Sequence, residues 1–222
     1  MKFRRAAFFV LFGCFALCLT GCKLIDKLGF DTYDYMSEKV LSTHEADSKI
    51  AAALEEFFGI LITDSIDLSL FEKMNESTEL YRDAVLTYML DTGYSKYSGN
   101  KALIEEAAKK YPGYNITLII PESEFEATMY RIFGGSVMIT HKDSTKFKYL
   151  SKVGAYISPM MPMAASLEAK VTTIYETEKT YRVWFKVVGE NIESKEYFAL
   201  IIKREDGTFY IKKLLMGERV GK

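Results

Sequence analysis

The sequence predicts an α+β fold in which N-terminal helices pack on a curved, mainly antiparallel C-terminal sheet. Three observations carry this. Through the first half, apolar residues recur at three- and four-residue steps, the spacing of one helix face. From Ser136 the period becomes two, as in strands with one side turned to a core. Short turn sequences separate the later runs, and Asp206-Gly207 is the strongest hairpin signal among them. Helices followed by strands, without β-α-β alternation, is the order of an α+β domain.

The elements follow in chain order. STHEADSKIAAALEEFFGILITD sets Ile50, Ala53, Leu54, Phe57, Phe58 and Leu61 on one helical face, with a start anywhere from about Asp34 to Thr43. ESTELYRDAVLTYMLDTG aligns Leu80, Ala84, Val85, Tyr88 and Met89, with Ser77 as N-cap and Gly93 as stop. A third helix starts at an Asn100 cap and ends in two lysines before Pro112-Gly113. NITLII, residues 115–120, reads as a short buried strand. In SEFEATMYRIFGG, Ser123 and Glu126 form a capping box, Phe125, Met129, Ile132 and Phe133 share a face, and Gly134-Gly135 end the helix. SVMIT, KFKYL, LEAKVTTIY, YRVWFKVV, KEYFALIIK and TFYIKKLL then read as strands, with a hairpin at Glu176–Lys179. Phe57, Leu61, Val85, Met89, Phe125, Phe133 and Ile201 are the expected core.

The N-terminus carries different information. MKFRR supplies Lys2, Arg4 and Arg5, and an apolar run follows that is too short for the roughly 20 residues of a spanning helix. It ends in Leu19-Thr20-Gly21-Cys22. This stretch resembles the lipobox of bacterial lipoproteins: an aliphatic residue, a small one, Gly or Ala, then Cys. The resemblance implies cleavage between Gly21 and Cys22 and a diacylglycerol thioether on Cys22, so that the membrane is a partner through the lipidated Cys22. Two acyl chains anchor stably where one does not. The expected organisation is a signal peptide at 1–21, a tether at 22–35 and one α+β domain at 36–222. Within it the helical part spans about 36–112 and the sheet part about 113–216.

All three cysteines, Cys14, Cys18 and Cys22, fall in this region. The mature chain would therefore have no disulfide, no thiolate metal site and no cysteine nucleophile. Loss of the three signal-peptide cations takes the net charge from −1 to −4, and with no basic block nucleic acid is not an expected partner. An exported domain without disulfides rests on its core, which a chain of this length can bury.

The helix-then-meander order, closing in REDGTFYIKKL, resembles nuclear-transport-factor-like and cystatin-like domains over about residues 115–216. Such folds host enzymes and inert binding modules alike, so the resemblance does not choose between them.

No constellation specifies chemistry. His141 sits in ITHKDSTKF, read as a surface turn, where Ser144, His141 and Asp143 are too close in sequence to line up as nucleophile, base and orienter. His44 is placed at a helix start, and spacing gives no support to a zinc site shared with His141. In SPMMPM, Met160, Met161 and Met163 offer thioether sulfurs, but the expectation is packing without metal. Tyr94 and Tyr97 in TGYSKYSG, read as a loop, would suit stacking on a glycan; half-buried rings at helix ends are the plainer reading. Glu55-Glu56 and Glu105-Glu106 read as solvated helix faces. No catalytic, cofactor-binding or metal residue is assigned, and no cofactor is expected. The expected function is a membrane-tethered, non-enzymatic module that binds a ligand, an envelope protein or a glycan. The alternative is a cofactor-independent pocket enzyme using Tyr with Asp or Glu.

Overall fold

The computed structural model describes residues 34–62, 70–71, 77–135, 137–158, 167–189 and 194–217. The chain divides into two compact units, Met1–Ser37 and Glu38–Lys222. The described part of the first is a 3-10 turn at Tyr35–Ser37, closed by Asp34, whose Oδ1 accepts Met36 N at 3.1 Å.

The second unit has the α+β fold. Its elements are β1 (Ser42–His44), α1 (Lys49–Gly59), α2 (Ser77–Gly99), α3 (Lys101–Lys110), β2 (Ile120–Pro121), α4 (Glu122–Phe133), β3 (Lys148–Leu150), β4 (Ala155–Ile157), β5 (Glu168–Glu176), β6 (Thr180–Val188), β7 (Glu196–Lys203) and β8 (Phe209–Met216). Five strands form an antiparallel sheet in the order β1-β5-β6-β7-β8, and three form a smaller one, β2-β4-β3.

The expected hairpins are present. Thr177 and Thr180 close β5–β6, with Thr177 N donating to Thr180 O at 2.9 Å. Gly207, at φ 81°, closes β7–β8 in a left-handed conformation that a side chain would resist. The five-stranded sheet reaches back into the first half of the chain, because Ser42–His44 pairs with Ile174–Glu176 as an edge strand. That pairing also corrects the first helix. It starts at Lys49, where Ser48 Oγ accepts Ala51 N at 3.2 Å, and His44 therefore lies on a strand.

The buried stripe of α1 is Ala51, Leu54 and Phe58. Ile50 and Phe57 flank it half-buried, and Ala53 faces solvent. In α2, Gly93 (φ −123°, ψ 20°) kinks the chain without ending it, and the helix resumes to Gly99. Tyr94 and Tyr97 are consequently helical. The Asn100 cap is as expected, its Oδ1 accepting Leu103 N at 3.4 Å.

NITLII is mostly irregular. Only Ile120 enters a strand, although Ile116, Leu118, Ile119 and Ile120 are all buried. Residues 137–140 are likewise irregular, while the unforeseen β4 takes Ala155–Ile157. The capping box is absent: Pro121 occupies the N-cap without a side-chain bond, so Ser123 lies inside the helix. The first-turn residues Glu122 and Glu124 still complement the helix dipole.

The C-terminus of α4 is closed from the sheet. The Arg204 guanidinium, from the β7–β8 hairpin, donates to Tyr130 O at 3.0 Å and Arg131 O at 3.3 Å, and Tyr130 O also accepts the Gly134 amide at 3.0 Å, so the last-turn carbonyls are satisfied. Gly134 (φ 89°) turns the chain there, and a Cβ would come within 2.9 Å of the Tyr210 ring.

The main core lies between the helices and the five-stranded sheet. Phe58 of α1 stacks on Phe185 of β6 with centroids 4.1 Å apart, and Phe185 stacks on Tyr197 of β7 at 5.5 Å. Phe133 of α4 meets Phe71 and Tyr81. Of the expected core residues Leu61, Val85, Met89, Phe125, Phe133 and Ile201 are buried, and Phe57 is half-buried. β7 departs from simple alternation, with every residue from Tyr197 to Ile202 buried. Tyr197, Ala199 and Ile201 join the main core, while Phe198 packs on Trp184 at 4.8 Å on the opposite side.

Two stretches of open sheet edge, the part of β5 that β1 does not cover and the outer side of β8, are protected. Val171 N of β5 donates to Glu55 Oε1 at 2.9 Å, beside a bulge, so Glu55 is not simply solvated. On β8, Leu214 and Phe71 exchange two backbone bonds of 2.9 Å each.

Candidate functional site

Cys22 and the rest of the lipobox lie outside the described residues, as do Met160, Met161 and Met163. Three other places bring functional side chains together.

The first is built around His141, which is not in a surface turn. Its segment runs between α4 and the small sheet, where Nε2 meets Glu126 Oε1 at 3.0 Å and Nδ1 meets the Tyr156 hydroxyl at 3.0 Å. Glu126, freed from any capping role, is thus one end of a carboxylate–imidazole–phenol line. The Tyr149 ring stacks on His141 with centroids 5.1 Å apart, and its hydroxyl donates to Glu122. Burial and the Glu122 carboxylate together push the Tyr149 hydroxyl above the ordinary phenol range. Burial also raises Tyr156.

The residues beside His141 go elsewhere. Ser144 Oγ accepts Phe147 N at 3.0 Å, and Asp143 takes Lys148 and the Tyr149 amide. They form no triad with His141. Tyr156 is fully buried while the His141 side chain is 16% exposed, so a ligand would reach the histidine and not the phenol. Replacing His141 by alanine would remove one partner each from the buried Tyr156 hydroxyl and the Glu126 carboxylate and leave a gap beside Tyr149. The expected cost is about 1–3 kcal/mol, read from urea denaturation.

The second place surrounds His44. Glu176 Oε2 accepts Ser42 Oγ at 3.0 Å and lies 2.7 Å from His44 Nε2, while Oε1 accepts Lys203 Nζ at 2.9 Å. Because Ser42 also meets the same imidazole nitrogen, at 3.2 Å, the three groups are not a nucleophile–base–orienter line. Burial acts to raise the Glu176 carboxyl, but the bonds from Lys203, His44 and Ser42 outweigh it and bring the carboxyl down to about 2. The folded value is lower than the ordinary 4.5, so this carboxylate contributes stability above that value and loses it as pH falls towards 2. In urea titrations between pH 5 and pH 2, Glu176→Gln should converge on the wild type as the pH drops. His44 and His141 share no partner, and among the described residues no group of His, Cys, Asp and Glu could hold a metal ion.

The third place is a cavity of about 440 Å³ at the tips of the two hairpins, within the size range of small-molecule sites. Tyr181 and Phe209 contribute rings, and Lys179, Lys203 and Arg204 contribute cations beside Glu178 and Glu205. The Lys203 ammonium lies 5.0 Å from the Tyr181 centroid and also donates to Thr177 O at 2.6 Å.

The tyrosines singled out for glycan stacking are divided by the helix. Tyr97 is 6% exposed and donates to Glu124 at 3.0 Å, whereas Tyr94 is 47% exposed. Glu105 and Glu106 are solvated, with Glu106 paired to Lys110 at 2.6 Å. Comparison with known proteins adds no family: no family model, curated protein or solved structure matches the chain significantly.

Proposed function

We propose that the chain is a lipoprotein whose domain is tethered to a membrane through lipidated Cys22 and serves as a non-enzymatic ligand- or protein-binding module of the cell envelope. The observation that carries the tether is Leu19-Thr20-Gly21-Cys22 at the end of a basic, then apolar, leader. A thiol in that position can take a thioether, and Gly21 leaves the scissile backbone open.

The hairpin-tip cavity supports the binding part of the reading. It presents two rings and mixed charges at the tips of the two hairpins. Feeding cells a labelled fatty acid tests the tether: the protein should carry label and partition into detergent, and an unlabelled, water-partitioning protein would refute it.

A cofactor-independent pocket enzyme is the second reading, favoured by the Glu126–His141–Tyr156 line, in which a carboxylate orients an imidazole against a phenol. It requires a ligand at the exposed edge of His141. Addition of binding ligands should then shift the His141 ring resonances in NMR, whereas shifts confined to Tyr181 and Phe209 would favour the binding module.

A further inference from the structure

We propose that residues 38–48 form a releasable strap, a polar edge segment latched on β5 through the Glu176 carboxylate and pinned at its start by Glu38, whose detachment lengthens the chain ahead of α1 and bares the Ile174–Glu176 edge. Three observations carry this.

No residue from Glu38 to Ser48 is buried, and Val40 and Leu41 are 38% and 65% exposed. The segment therefore gains little from apolar burial, which gives the rest of the domain most of its hold. Its ladder is also minimal, three residue pairs plus the bond from Leu41 N to Glu176 O at 2.8 Å. Finally, the side chains of its paired strand converge on one group. Ser42 and His44 both hang on Glu176 Oε2. Glu38 is held by Arg182, which donates to its carbonyl at 2.7 Å, and by the Thr177 hydroxyl. Half-exposed polar contacts contribute little each, and neutralising Glu176 weakens two of them together.

The strap has a defined downstream hinge. Ser48 N bonds Glu45 O at 3.1 Å, and the Ser48 side chain caps α1, so the helix keeps its cap when the residues before it leave. Freed, residues 38–47 add about 33–36 Å of contour to the chain ahead of the helix. If Cys22 is the anchor, as proposed above, release sets how far the domain can stand from the membrane. The latch itself does not depend on that reading.

Hydrogen exchange followed by mass spectrometry on the full chain in detergent tests this. In the wild type, peptides covering 38–48 should exchange at least about 10-fold faster than those of β6 and β7, as expected of a locally opening segment. Glu176→Gln should accelerate the strap by a further several-fold and leave β6 and β7 unchanged. A strap that exchanges with β6 and β7, or is indifferent to Glu176→Gln, overturns the proposal. Should that variant not fold, Ser42→Ala and His44→Ala remove the same attachments from the strap's own side. Selective acceleration of the strap supports the latch, and a strap indifferent to both substitutions contradicts it. The same digest reports the mass of the Cys22 peptide, so a missing lipid is recognised separately.

Discussion

Phe185→Ala should lower the stability of the domain by about 3–5 kcal/mol, the range for removing a fully buried aromatic ring. Phe185 is completely enclosed and sits between Phe58 and Tyr197, both stacked on it. The cavity would open where α1 meets the centre of the sheet. With total stabilities of about 5–15 kcal/mol for most domains, a loss of that size removes much of the margin. At roughly 2–4 °C per kcal/mol for a domain of this size, the melting temperature should fall by about 10 °C. Phe57→Ala is the control. Its ring is half-buried and meets Phe209 edge-on at 4.9 Å, so its loss should cost markedly less. Equal losses for the two variants, measured by calorimetry, would mean that the core is not centred on Phe185.

Cys22→Ala should have the other large effect, on location. Each acyl chain contributes about 0.8 kcal/mol per buried CH₂, so a two-chain anchor holds where a single chain exchanges. Without the thiol no thioether can form, and the lipid-dependent cut at Gly21 should fail with it. The expected product carries no fatty-acid label and retains residues 1–21. Because the substitution lies far in sequence from Phe58 and Phe185, urea denaturation of the domain should be unchanged. Membrane fractionation alone is a poor readout, since an uncut leader could itself hold the chain; label and N-terminal mass distinguish the cases.

Much of the fold was legible because its signals are local. The period of two in the strands from Glu168 onward, the Asp206-Gly207 turn and the Asn100 cap each lie within one short window. What escaped depended on distant partners. Ser42–His44 has no strand pattern of its own, and pairs only because Glu176 and its neighbours offer an edge and a carboxylate. Ser123 and Glu126 match a capping box, but Pro121 takes the cap and Glu126 turns to His141. NITLII is as apolar as a strand yet buries its side chains with little ladder pairing, since burial and pairing are separate requirements. The His141 network was hidden for the same reason, as its partners come from a helix and a strand on either side. The cavity at the hairpin tips is likewise created by packing two turns together, and no residue in either turn announces it.

The most direct test of the account is the mass of the N-terminal peptide of the protein purified from cells with its membrane fraction. The account predicts a peptide beginning at Cys22 and heavier than its sequence by a diacylglyceryl group. A peptide beginning at Cys22 with a free thiol, or one that still contains Gly21 joined to an unmodified Cys22, would contradict it.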